Sequence, residues 1–238
     1  FKIGLKQFLD FSLHPHWSLS TLFKGIPEPK NFRYGSENRF DRNASRAGAN
    51  WDFLDALREK WKGNLIVKGI MDTDDASRVQ NAGVDAIWAS NHGGRQLDSS
   101  PPALSALPKI RKAVGSNMPI IFDSGARNGE DVVKALALGA DAIAIGTGSM
   151  IALNCNKDIP EANFEKEMGV KAAALRVYNY LHSMTLEAQL LARACGKTNI
   201  HSLEPEDLAA LTSEASALAK VPLAGTNYTV GVDNYHKI

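Results

Sequence analysis

Cysteine is nearly absent from the 238 residues, occurring only as Cys155 and Cys195. Two cysteines make neither a disulfide framework nor a metal cluster, and reduced thiols in a cytosolic chain are the expectation. Long apolar runs are missing too. The most apolar stretch, Ala140 to Ile145, is interrupted by Asp141, whereas a bilayer span needs roughly 20 apolar residues. No secretory signal is legible at the start. The cytoplasm is therefore the expected compartment, with attachment to a membrane surface left open. Charge of one sign is not in excess: 27 Lys and Arg face 26 Asp and Glu. Without a broad basic field, no nucleic-acid partner is expected. His14, His16, His182, His201 and His236 lack the spacing of metal ligands, so no metal site is expected. The chain opens on Phe1 rather than Met, which predicts processing or a preceding segment.

What is present is an ordinary globular composition, 44% apolar and 22% charged, enough for a sizeable core. Residues 1–50 predict an N-terminal helix, with the stripe Leu5, Phe8, Leu9, Leu13 ending at His14-Pro15, and then a mobile polar loop over 30–50. From Asn50 an alternation begins. Trp51–Trp61 predicts a helix, Leu65–Ile70 a strand, Asp72–Asn81 a helix and Asp85–Ser90 a strand. Leu104–Val114 predicts a helix, Pro119–Asp123 a strand, Gly129–Leu138 a helix and Asp141–Gly146 a strand. Helices are then expected over Ala162–Ala194, with a break, and over Glu204–Leu218. Trp17, Trp51, Trp61 and Trp88 read as core or helix-packing residues. Strands alternating with helices imply an α/β fold with a parallel sheet. Its apolar runs suit strands covered on both faces. Four such units are half of an eight-stranded βα barrel; an open four-stranded sheet is the alternative.

In βα barrels the chemistry gathers at the carboxyl ends of the strands. Those ends read Lys68-Gly69, then Ser90-Asn91-His92-Gly93-Gly94-Arg95-Gln96-Leu97-Asp98, then Asp123-Ser124-Gly125-Ala126-Arg127, then Gly146-Thr147-Gly148. His92 is a candidate base near neutral pH. Arg95 offers a planar fork for a carboxylate. A base beside such a clamp suits proton removal from a small organic acid. Lys68 can place a cation on a cofactor or substrate anion. Glycine N–H groups, a helix start and Arg127 suggest a phosphate site over the last two loops.

Taken together, these segments resemble the FMN-dependent 2-hydroxy-acid dehydrogenase and oxidase family, which includes glycolate oxidase, L-lactate dehydrogenase and mandelate dehydrogenase. The nine residues Ser90 to Asp98 carry most of the resemblance. Val67-Lys68-Gly69, Asp123 to Gly129 and Asp131 to Ala140 follow in order and spacing, and His14-Pro15-His16-Trp17 resembles the lactate and mandelate branch. The resemblance implies a TIM (β/α)8 barrel, of which this chain supplies strands five to eight and the C-terminal helices. It implies a barrel half over residues 51–160 and a helical tail over 161–238. It implies FMN as cofactor, held by Lys68, Ser90, Asp123, Ser124, Gly125, Arg127, Gly146 and Thr147. It further implies oxidation of a small L-2-hydroxy acid to the 2-oxo acid. His92 is then the base, Arg95 the carboxylate clamp, and Lys68 the cation against the flavin.

Three departures qualify the resemblance. Strands one to four are absent, so the N-terminal barrel half is an expected partner, as a separate chain or a further segment. Family habit also points to a homo-oligomer. Thr147 stands where the family usually has Arg, removing one phosphate charge. The stretch Gly148 to Leu153 and the tail from Leu190 to Leu208 resemble glutamate synthases instead. Two alternatives follow: a glutamate-synthase-like FMN oxidoreductase, and a non-catalytic flavin-binding subunit.

Overall fold

A computed structural model describes residues 4–25, 49–154 and 169–232. The chain divides into two compact units, residues 1–53 and 54–238. In the first, α1 (Leu5–Leu13) and α2 (Pro15–Lys24) meet at His14. Pro15 opens α2 rather than only closing α1, because the first turn of a helix leaves its N–H unused. Phe11 and Trp17 pack ring to ring with centroids 5.7 Å apart. The predicted polar loop over 30–50 lies almost wholly outside the described residues.

The second unit is built of βα repeats. α3 (Trp51–Lys60) leads to β1 (Ile66–Ile70), α4 (Thr73–Asn81), β2 (Ala86–Ala89) and α5 (Ala103–Val114). β3 (Ile120–Phe122), α6 (Gly129–Ala137), β4 (Ala142–Ile143) and α7 (Thr147–Ala152) follow. The strands form one parallel sheet in the order β1-β2-β3-β4. Sequential parallel order with a helix between neighbours is the half-barrel arrangement. Two of the helices start at a side-chain cap: Asp72 accepts from the amides of Asp74 and Asp75, and Asn128 from that of Asp131. The core lies between β2, β3 and the helices α4 and α5, where Val79, Ile87, Leu107, Ile110 and Ile120 are fully buried.

The expectation of strands covered on both faces holds for β2 and fails for β1, which buries only Ile70. β1 is an edge with one neighbour among the described residues. β4 is likewise an edge, and its regular pairing stops after two residues instead of running to Gly146.

Near the amino ends of the strands the fold repeats one device. Gly83-Val84-Asp85-Ala86-Ile87 precedes β2, and Gly139-Ala140-Asp141-Ala142-Ile143 precedes β4. Asp85 accepts from the Leu65 amide at 2.7 Å and from Arg58 at 2.9 Å. Asp141 accepts from the Ile120 amide at 2.7 Å and from Arg111. Each arginine also donates to the glycine carbonyl two residues before its aspartate. Residues 66–152 are thus two copies of a βαβα unit, each clamped at the bottom by an Arg–Asp pair and a strand amide. The Leu65 amide and Arg58 hold the Asp85 carboxyl below its ordinary value, against a smaller effect of burial.

Beyond α7, α8 (Val170–Ala194) packs along α6. The residues expected to precede the break in that helix lie outside the described set. The helix predicted over Glu204–Leu218 is corrected. A short 3-10 turn (Pro205–Asp207) is followed by extended chain, and only α9 (Ser213–Ala219) is helical. The cause is a cap placed late: Thr212 accepts from the Ala215 amide and starts the helix there. Trp61 is half-exposed rather than core, its Nε1 donating to the Asn64 carbonyl at 3.0 Å.

Candidate active site

Three of the four strand ends converge. On β1, Lys68 stands opposite Trp88 of β2, and Gly69 (φ 99°) is the extra residue of a bulge before Ile70 pairs with Ala89. Lys68 forms an ion pair with Asp123, the first residue past β3. Its ammonium also sits 4.0 Å from the Trp88 ring centroid. Trp88, expected as core, is therefore a neighbour of the site; only the bulge and register reveal this. Its Nε1 is buried without a hydrogen-bond partner among the described residues. Partial burial would raise the Asp123 carboxyl. Hydrogen bonds from Lys68, Ser124 and Ser90, with the Lys68 charge, outweigh it and hold Asp123 below its ordinary value.

The His92 segment is a turn wound in the left-handed sense. His92, Gly93 and Gly94 have φ of 55°, 65° and 72°. Glycine adopts this at no steric cost, whereas His92 does so against its preference. Local polar groups hold it there. Ser90, only 3% exposed, accepts from the His92 amide at 3.1 Å. Asn91 accepts from the Gly93 amide at 3.0 Å and donates to the Pro101 carbonyl at 3.0 Å. The side chains of His92 and Arg95 are exposed, with no hydrogen bond or ion pair to other described residues.

The last two loops are joined by a residue that the sequence did not flag. Tyr180 of α8 donates to the Arg127 carbonyl at 2.9 Å. A Cβ added at Gly148 would lie 2.2 Å from the Tyr180 hydroxyl oxygen, so this glycine admits the tyrosine. Burial and the nearby Asp131 raise the Tyr180 phenol, with Arg127 opposing. At the start of α6 several amides are engaged within the chain. The Gly129 amide donates to Glu187 at 2.6 Å, that of Arg127 to Asp131 at 2.9 Å, and that of Asp131 to Asn128 at 2.8 Å. Gly125, Gly146 and Thr147 are exposed, and nothing lies within 4 Å of a Cβ built on Gly125 or Gly146. The Arg127 guanidinium has no anionic partner among the described residues.

This donor set fits a ribityl phosphate: a carboxylate and buried serine for hydroxyls, open glycine backbone and a guanidinium for the phosphate, and an ammonium for an anionic ring edge. Parallel βα units with polar side chains gathered at their carboxyl ends define a barrel enzyme's catalytic face. Residues 1–159 match the family model for FMN-dependent dehydrogenase, and the chain belongs to that family. It is 38% identical over 176 residues to pre-mycofactocin synthase of Mycolicibacterium smegmatis, covering 74% of this chain and 40% of the relative. It is 38% identical over 185 residues to L-lactate dehydrogenase of Chromohalobacter salexigens, covering 70% and 46%. Among solved structures it resembles a soluble mutant of the membrane-associated (S)-mandelate dehydrogenase from Pseudomonas putida, with TM-score 0.60 and 31% identity. That match covers 77% of this chain and 47% of the other. The chain spans less than half the length of these relatives. Among the described residues no helix is long and apolar enough to cross a membrane.

Proposed function

We propose that this chain supplies the catalytic half of an FMN-dependent barrel that oxidises an L-2-hydroxy acid to the 2-oxo acid. The observation that carries the reading is the placing of the Lys68–Asp123 pair beside the His92 turn at one end of the sheet. FMN, when bound, supplies the two-electron acceptor. Lys68 holds the ring edge, Asp123 and Ser90 the ribityl hydroxyls, and Gly125, Arg127, Gly146 and Thr147 the phosphate. Arg95 binds the substrate carboxylate through its fork, and His92 accepts a proton from the substrate. The other four strands come from a second polypeptide or a further segment, and the assembled protein is a homo-oligomer.

The test is an anaerobic visible spectrum before and after a panel of L-2-hydroxy acids. A flavin spectrum bleached by one of them, with the bleaching abolished in His92→Ala, is the expected result. Bleaching that survives in His92→Ala would remove His92 as the base. A flavin bleached by glutamate instead would favour the glutamate-synthase-like alternative, which the Thr147 substitution in the phosphate loop motivates. No flavin signal after reconstitution with the missing half would sink the reading.

A further inference from the structure

Ser124 is the residue whose surroundings the reading above leaves unexplained. It follows Asp123 at the exit of β3 and has φ of 81°, a conformation that a side chain with a Cβ rarely takes. Its neighbour Gly125 would accept such a turn freely. Something other than backbone preference therefore keeps a serine here, and the hydroxyl supplies it. Ser124 Oγ donates to Asp123 Oδ1 at 2.6 Å. The same oxygen accepts from the Gly93 amide, across the strand gap, at 3.1 Å, sharing that hydrogen with Asn91 Oδ1 at 3.0 Å. Ser90 Oγ lies 3.5 Å away and itself accepts the His92 amide. A hydroxyl has one hydrogen and two lone pairs. Ser124 has thus placed its hydrogen on Asp123 and its oxygen on the His92 turn, with little capacity left for a ligand.

We propose that Ser124 is a positioning residue. By bonding Asp123 and the Gly93 amide at once, it ties the turn that carries His92 to the Lys68–Asp123 ion pair. A change at the ion pair, such as a ligand drawing Lys68 off Asp123, is then transmitted to the base turn through one hydroxyl. The importance of that coupling for catalysis rests on the proposed function; the latch itself does not.

The test is amide hydrogen exchange at His92 and Gly93 in the full chain, with folding monitored by circular dichroism. Losing the Ser124 arm of this shared hydrogen bond, with Asn91 still accepting, should speed Gly93 exchange roughly 2- to 5-fold in Ser124→Ala. Ser124→Gly removes the backbone strain as well as the hydroxyl, and folds at least as readily. It should show the same loss of protection. Protection retained in Ser124→Gly would mean that only the backbone conformation matters, and would overturn the proposal. Unchanged exchange in both variants would also overturn it. Asp123→Ala should loosen the turn, and combined with Ser124→Ala the two should loosen it by less than the sum of their separate effects, because both act on one chain of contacts. Additive effects would show that the turn and the ion pair are independent. In Ser124→Ala the Asp123 carboxyl should also titrate higher than in the native chain, followed by carbon NMR. None of these measurements uses FMN, so a failed latch and a failed functional reading are distinguishable.

Discussion

Lys68 and Asp123 stand 55 positions apart and meet across a sheet in which neither strand touches the other directly. Strand β2 lies between them, and Trp88 of that strand forms the surface over which the ammonium crosses. The pair has a consequence for pH. Asp123 titrates below the ordinary 3.8 in the folded state. A depressed folded value means that its contribution to stability is complete above pH 3.8 and is lost as pH falls through the folded value. Lys68→Met should return Asp123 toward its ordinary value, since one hydrogen bond and one charge go together. Acid unfolding of the variant should therefore begin at higher pH than in the native chain. Asp85 is depressed for separate reasons and titrates in both proteins, so the difference between the two curves reads Asp123. Coincident acid limbs in circular dichroism would show that Lys68 does not set the Asp123 carboxyl.

At the scale of elements, α8 is what fixes the phosphate-side loops. It lies against α6 so closely that a Cβ on Gly129 would sit 2.5 Å from the Met184 carbonyl oxygen and the Ala188 amide nitrogen. Both are backbone atoms, so neither can turn aside. Val133 and Ala137 of α6 and Ala188 and Ala192 of α8 fill the seam with small or branched side chains. Gly129→Ala should push the helices apart and cost about 1–3 kcal/mol by overpacking. It should also disturb the Gly129–Glu187 hydrogen bond and the Tyr180 contact to Arg127. A thermal melt reads the first effect, and an unchanged melting temperature would mean the seam gives way freely. The left-handed turns at Gly83 and Gly139 sit at equivalent places in the two βαβα copies, each beside its Arg–Asp clamp.

At the scale of the molecule, the four-stranded sheet has two edges, β1 and β4, without a strand partner among the described residues. Beside β4 lies a largely apolar hollow of about 590 Å³, lined in part by Val132, Leu136, Ile143, Ile145 and Met184. Unpaired edges and an apolar hollow are what a barrel leaves when four of its eight units are considered alone. If the remaining strands are supplied from elsewhere, the chain by itself should bind an apolar dye such as ANS. That signal should fall when an N-terminal barrel half from the same family is added. A chain that binds no dye and stays monomeric in light scattering would contradict the proposed completion.

The alternation of strands and helices was legible in the sequence, because each strand is a short apolar run and the helices between them carry a 3.6-residue stripe, with caps at Asp72 and Asn128. So was the crowding of titratable residues and glycines in the segments that follow the strands. These are local properties, written within about ten residues. The late start of α9 follows its Thr212 cap, and the opening of α2 follows from Pro15 suiting a first helical turn, neither of which an apolar stripe reveals. Other features depend on which residues lie opposite each other in register. The Trp88 face beneath Lys68, the Ser124 hydroxyl shared between Asp123 and Gly93, and the Glu187 carboxylate on the start of α6 belong to this kind. Their partners are 20, 31 and 58 positions apart. No local pattern specifies such pairs. The sequence by itself determined the alternation of strands and helices and the family. Only the tertiary structure decided which hydroxyl, ring and carboxylate surround each functional group, because those contacts are set by strand register and helix approach.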